Sequence, residues 1–113
     1  MQDQNSLNIV GRLTKDAELK YTAAGTPVAS FSIAVNRSVK KGDQWEDEAS
    51  FFECVFFGAL AEAVSKYLLK AKQVAITGSL KQDRWQGSDG SNHSKVKIIV
   101  DQLQLFKGVN DAV

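Results

Sequence analysis

The chain has 113 residues, 43% of them hydrophobic and 24% charged, which suits one globular domain with its own core and leaves no room for a second. Its one cysteine, Cys54, excludes an internal disulfide and a cysteine-based zinc cluster. The formal net charge is +1, but residues 1–42 carry +3, 43–63 carry −6, 64–107 carry +5 and 108–113 carry −1, so two basic segments flank an acidic block. The opening Met1-Gln-Asp-Gln-Asn5 lacks the basic and apolar regions of a secretory signal. No apolar run approaches the ~20 residues that cross a bilayer. The expectation is a soluble intracellular domain.

Period-two alternation dominates and predicts strands. Leu7, Ile9, Gly11 and Leu13 share one face of the first strand, and Gly11 implies a bend or the close approach of another backbone. Ala17 to Tyr21 continues it, Thr22 to Thr26 reads as a turn, and Pro27 suits a strand's first residue. In the second strand, Val28 to Arg37, Ala29, Phe31, Ile33 and Val35 face the core while Ser30, Ser32, Ala34 and Asn36 face away. Ser38 to Ala49 reads as a charged loop with Trp45 at its middle. The third strand, Ser50 to Gly58, is aromatic on both faces, with Phe52, Cys54 and Phe56 inward and Phe51, Glu53, Val55 and Phe57 outward.

From Ala59 to Lys70 the spacing turns helical, with Leu60, Ala63, Val64, Tyr67 and Leu68 on one face and Lys66 and Lys70 near the negative end of the dipole. Val74, Ile76, Gly78 and Leu80 begin a fourth strand that reaches Trp85. Gln86 to Asn92 is a turn-rich hairpin loop, and Val96, Ile98 and Val100 open a last strand ending near Phe106. Five strands with one helix between the third and fourth is the order of the OB-fold, a five-stranded Greek-key barrel. A fold of this kind hosts many functions, so the outward rows must carry the argument.

A small barrel has limited inner volume, and Phe52, Cys54 and Phe56 already fill the inner row. The outward Phe51 and Phe57 therefore call for a ligand or a partner. Trp85 also points outward, Lys81 shares its face and Arg84 adjoins it; Arg37, Lys40 and Lys41 cluster beside Trp45. Exposed aromatics among basic residues form a platform on which single-stranded nucleic acid stacks its bases while lysines track its phosphates. The plainer alternative buries the outward phenylalanines against another protein chain, as in a protein-interaction barrel. Catalytic chemistry is thin. Cys54 lies on the inner row, the lone His93 has no second histidine for metal binding, and no Ser-His-Asp set or glycine-rich phosphate loop can be assembled. Glu46, Asp47 and Glu48 could hold a cation but read better as a solvated segment that repels misplaced phosphates. The expectation is a binder, with no catalytic residue, metal or cofactor.

Segments spread from Leu7 to Phe106 are also similar to the bacterial single-stranded DNA-binding protein (SSB) family. They are Asn8-Ile-Val-Gly-Arg-Leu13, Leu19-Lys-Tyr21 ahead of Gly25, Val28-Ala-Ser-Phe-Ser-Ile-Ala34, Phe56-Phe-Gly-Ala-Leu-Ala-Glu62 with Tyr67-Leu68, and Val74-Ala-Ile-Thr-Gly-Ser-Leu80 leading to Arg84-Trp85. The helix segment is the most specific. The resemblance implies a cytoplasmic, nucleoid-associated homotetramer that wraps single-stranded DNA without sequence preference in replication, recombination and repair. It puts stacking on Phe51, Phe57 and Trp85 and basic contacts on Lys20, Lys70 and Arg84. A tail-less primosomal protein of the same superfamily, which is dimeric, is the alternative within that resemblance.

Three departures qualify it. Val39 stands where many relatives have a stacking tryptophan, and Trp45 can substitute from six residues on. Glu53 stands where a basic residue is often found. Relatives recruit replication and repair proteins through a glycine- and proline-rich tail with an acidic tip, whereas this sequence stops at Val109-Asn-Asp-Ala-Val113. The domain is expected over 1–107, with 108–113 a short disordered remnant.

Overall fold

The alternating segments form strands where the apolar rows predict them. In the computed structural model, which describes residues 2–106, β1 spans Leu7–Leu13, β2 Glu18–Tyr21, β3 Pro27–Lys41, β4 Gln44–Phe57, α1 Ala59–Ser65, β5 Gln73–Gln86 and β6 Asn92–Leu105. The segment 108–113 lies outside the described residues. The strand order is β1-β5-β6-β4-β3-β2, and β1 also pairs with β3 through Arg12↔Ala34 and Leu13↔Ile33. That extra pairing closes a five-stranded barrel in which β2 carries on from β1 along β3. The helix follows the third barrel strand as expected; in chain numbering it falls between β4 and β5 because the first barrel strand is split.

The inward rows supply the core, except at Phe52, which shares the row of Cys54 and Phe56 but, contrary to expectation, is exposed. Leu13, Ala29, Phe31, Ile33, Cys54, Phe56, Val74, Ile76, Ile98 and Val100 are buried, joined by Ala61 from α1 and Leu68 from the turn after it. Burying an aliphatic or phenylalanine side chain of this kind contributes about 1.5–3 kcal/mol. The last strand reconciles two parities. Thr77 pairs with Gln102 and Gly78 with Val100, so Asp101 is the extra residue of a bulge. The bulge lets the even-numbered Ile98 and Val100 and the odd-numbered Leu103 and Leu105 all turn toward the core.

Three segments differ from their sequence-based expectation. Residues 38–49, expected as a loop, are the outer half of a β3–β4 hairpin whose register runs unbroken from Val28↔Phe57 to Lys41↔Gln44. Its two-residue turn is Gly42-Asp43, with Gly42 at φ 62° and no positive φ at Asp43, the pattern of a type II′ turn. Residues 86–92 shrink likewise to a five-residue connection, because β5 and β6 pair out to Gln86↔Asn92. Both arms extend past the barrel with water on two faces, so neither shows apolar alternation. The helix is shorter than its spacing suggests. It ends at Ser65 with Lys66 as C-cap, and Ala71 reaches φ 72° before β5 begins. Ala61 and Leu68 turn inward, while Leu60, Ala63 and Tyr67, expected on the core side, are exposed.

Two glycines let the strands cross at close quarters. A Cβ on Gly11 would sit 2.8 Å from the Ala34 carbonyl oxygen, the backbone approach its position in the strand predicts. At Gly78 a Cβ would overlap the Ile99 carbonyl oxygen outright. Gly78→Ala forces β5 and β6 apart, and overpacking of this type costs about 1–3 kcal/mol or more. The expected readout is a thermal midpoint lowered by about 4–8 °C per kcal/mol lost. An unchanged midpoint would mean that the two strands do not approach this closely.

Candidate nucleic-acid interface

β4 is held on both sides, antiparallel to β3 and parallel to β6 through Cys54↔Ile98, Val55↔Ile99 and Phe56↔Val100. Because Cys54 and Phe56 are buried, the period of two turns Phe51, Glu53, Val55 and Phe57 outward. Phe51 and Phe57 are 66% and 47% exposed. Six residues of strand put them about 20 Å apart. Opposite them, β3 offers Val28 at Phe57 and otherwise small side chains, with Ala34 facing Phe51, Ser32 facing Glu53 and Ser30 facing Val55. The result is a groove of about 630 Å³ over the outer face of the sheet. Lys15 and Glu18 border it on one side, and Asp83 of β5 with Lys95 and Lys97 of β6 on the other.

Charges on the β4, β5 and β6 side of the groove are paired. Lys95 Nζ donates to Glu53 Oε1 at 2.6 Å, Lys97 Nζ lies 2.8 Å from Asp83 and Lys81 Nζ 3.7 Å from the same carboxylate. The hydrogen bond from Lys97, with the positive charge of Lys97 and Lys81 behind it, holds Asp83 below the ordinary carboxylate value of 3.8. The pairing therefore persists in mild acid and is lost only as pH falls through that depressed value. Lys95 and Lys97 were not among the sequence candidates. They continue the outward row of Ile99 at a spacing of two, a signal already present in their alternation with Val96 and Ile98.

Trp85 lies at the far end of the β5–β6 arm, half exposed, and faces His93 across the ladder. The two rings stack with centroids 5.5 Å apart and planes 21° from parallel. Behind the imidazole, Ser91 Oγ donates to Asp89 at 2.6 Å and lies 2.7 Å from His93 Nε2. With the serine proton given to Asp89, Nε2 must carry the hydrogen that points at Ser91. His93 is thus a second ring under the indole, a role its solitude in the sequence did not suggest. Lys81 shares the outward row of Trp85, whereas Arg84 lies on the other row, its guanidinium donating twice to Gln82 Oε1 at 3.2 and 3.0 Å.

The β3–β4 arm separates the expected basic cluster. Lys40 pairs directly with Trp45, which is 68% exposed and on the same outward row as Phe51. Arg37 and Lys41 belong to the opposite row, across from Glu48 and Gln44, and Lys41 reaches Glu46 at 3.4 Å. Alternation along the strand also splits the three carboxylates, with Asp47 on the Trp45 side accepting from Ser38 at 3.3 Å and Glu46 and Glu48 behind. Val39 shares the row of Arg37, so Trp45 stands on the other face from it. Lys20 on β2 is 3.5 Å from Glu18. Lys70 follows the helix, its backbone N–H donating to Asp16 at 2.8 Å. Among the described residues, no carboxylate is within ion-pair distance of Lys15, Arg37, Lys40 or Lys70.

The geometry is an aromatic row on one face of a barrel, a paired-charge groove beside it and two arms that each carry a tryptophan. The sequence model of the single-strand binding protein family matches residues 4–106. The chain belongs to the single-strand binding protein family. A single-stranded DNA-binding protein of Treponema pallidum is 49% identical over 96% of this chain, and one of Borreliella burgdorferi is 48% identical over all of it. The chain spans 61% and 76% of the length of these two relatives. A solved Plasmodium falciparum SSB complex with ssDNA superposes with a TM-score of 0.85 over 95% of this chain and 98% of that one. At 21% identity the agreement is one of fold, and it fits the OB barrel. No helix among the described residues is long and apolar enough to cross a membrane.

Cys54 sits beneath the groove. It is 1% exposed, and burial, reinforced by the charge of Glu53, pushes its thiol up to about 12. A thiol-specific reagent at pH 8 should therefore label the protein only as fast as it unfolds; rapid stoichiometric labelling of the native fold would show β4 to be in another register. The raised value also has a stability consequence. The folded state keeps a proton that the unfolded thiol releases, so this contribution is complete below about pH 9 and lost as pH rises from 9 toward 12. Cys54→Ala should flatten stability over that window in alkaline denaturation curves.

Proposed function

We propose that this chain binds single-stranded DNA without sequence preference, as a non-catalytic coat that protects exposed strands during replication, recombination and repair. The observation that carries the reading is the outward row of β4. Phe51 and Phe57 lie open to water on a face of the barrel that its core does not need. Bases stack on these rings and on Trp85, whose seat against His93 pre-orients it, and the paired Trp45 and Lys40 extend the track along the β3–β4 arm. Lys20 and Lys70 take phosphates beside the groove, Lys81 stays with Asp83, and Arg37, Lys41 and Arg84 meet a strand only if it wraps to the back of an arm. The names of the relatives from Treponema pallidum and Borreliella burgdorferi support the reading, and so does the ligand named for the Plasmodium falciparum structure. The same family membership supports a homotetramer and a nucleoid-associated place in the cytoplasm as parts of this proposal.

Addition of oligo(dT) at low salt should quench tryptophan fluorescence and raise anisotropy, and a flat titration would overturn the reading. Trp85→Ala should weaken binding by about 1–3 kcal/mol. His93→Ala should weaken it less, by loosening the indole, and an unaltered affinity in Trp85→Ala removes Trp85 from the track. Phe51→Asp with Phe57→Asp separates this function from a protein-interaction barrel. DNA binding should be lost while the oligomer seen by light scattering survives. Loss of the oligomer with DNA binding retained would favour the other reading, and a dimer in the wild type would favour the primosomal branch of the superfamily.

A further inference from the structure

On the β5 and β6 side of the groove, the lysines that line it and the neighbouring Lys81 are held by acids on the same face. Lys95 is held by Glu53 at 2.6 Å, Lys97 by Asp83 at 2.8 Å and Lys81 by Asp83 at 3.7 Å. Each carboxylate stands near an aromatic on its own strand. Glu53 lies two residues from Phe51 on the outward row of β4, and Asp83 lies two residues from Trp85 on the outward row of β5. A phosphate settling on this floor would have to displace a carboxylate from its lysine and then remain beside it. Among the described residues, the lysines without a carboxylate partner lie elsewhere, Lys15 at the groove's edge, Lys40 on the arm and Lys66 and Lys70 after the helix. Exposed ion pairs of this kind add little to folding stability, so the acids are not needed to hold the barrel.

We propose that Glu53 and Asp83 are specificity determinants, which hold the groove lysines in ion pairs and reserve the groove floor for bases, thereby excluding backbone phosphate and with it duplex DNA. The inference rests on the single-strand reading above. A single strand can turn its bases onto Phe51, Phe57 and Trp85 and leave its phosphates toward the rims. A duplex hides the faces of its bases in its own stack and presents phosphate rows, so it meets the carboxylates with nothing gained from stacking. Selectivity then has a repulsive element as well as an attractive one.

The test uses Glu53→Gln, Asp83→Asn and the double variant in salt titrations against oligo(dT) and a duplex of equal length. The side chains reach solvent and the amides are isosteric, so melting curves should match the wild type. Single strands should bind the double variant severalfold more tightly at low salt. The slope of log affinity against log salt should steepen by about 0.7 for each phosphate newly neutralised. Duplex binding should gain more, narrowing the ratio between the two. Adding Lys95→Gln to Glu53→Gln should abolish the gain of the single variant. Unchanged slopes with an unchanged ratio would overturn the inference, and so would a gain that survives Lys95→Gln, since that marks a general effect of net charge. Wild-type protein that fails to bind oligo(dT) would instead overturn the reading beneath.

Discussion

The register of β4 is the constraint on which the rest depends. Cys54 and Phe56 are clamped between β3 and β6, one antiparallel and one parallel neighbour, and their burial leaves no freedom in which residues face out. A slip of one residue would send Phe51, Val55 and Phe57 into the core and expose Cys54 and Phe56. Core and interface are therefore two sides of one strand. The same clamp sets the separation of the two phenylalanines along a rigid element rather than a loop, which keeps the two exposed rings at a fixed pitch.

Electrostatics on this molecule is local. A net charge of +1 says little about what meets the surface, because most charged groups of the groove are already paired across strands. Parallel pairing of β4 and β6 brings the acidic block of the sequence beside the basic segment that follows it. Glu53 of the first meets Lys95 of the second, 42 residues later. Under the proposed single-strand reading, affinity comes from stacking for the larger part and from unpaired lysines at the margins for the remainder.

Much of the fold was legible in the sequence because the inner rows alternate cleanly. Phe31, Ile33, Cys54, Phe56, Val74, Ile76, Ile98 and Val100 were readable as a core from spacing alone, as were the strand order and the start of the helix. The β3–β4 arm was not. Lys40 and Trp45 lie in strands with water on both sides, where pairing is sustained by the ladder and carries no apolar period, whereas the strand reaching Trp85 and the hairpin after it were legible. The helix was over-extended because Tyr67 and Leu68 keep the spacing of α1 after its hydrogen bonding has ended. At the site, the outward aromatics were visible, but His93, Lys95 and Lys97 were not. What they contact depends on register between strands distant in sequence, and Arg37 and Lys41 were misplaced for the same reason.

Closure of the barrel joins the beginning of the chain to a strand far downstream. The side chain of Asn5 exchanges two hydrogen bonds with the backbone of Leu80, 75 residues away, and β1 then runs antiparallel to β5. Such long loops must be closed before their contacts reward it, so folding is expected to be slow for a domain of this length. A ribosome releasing the chain presents the β3–β4 hairpin, aromatic on both faces near its base, before β5 and β6 exist to cover the inner one. For that interval the nascent chain has a greasy side with no partner, and its solubility rests on the acidic block at 43–63.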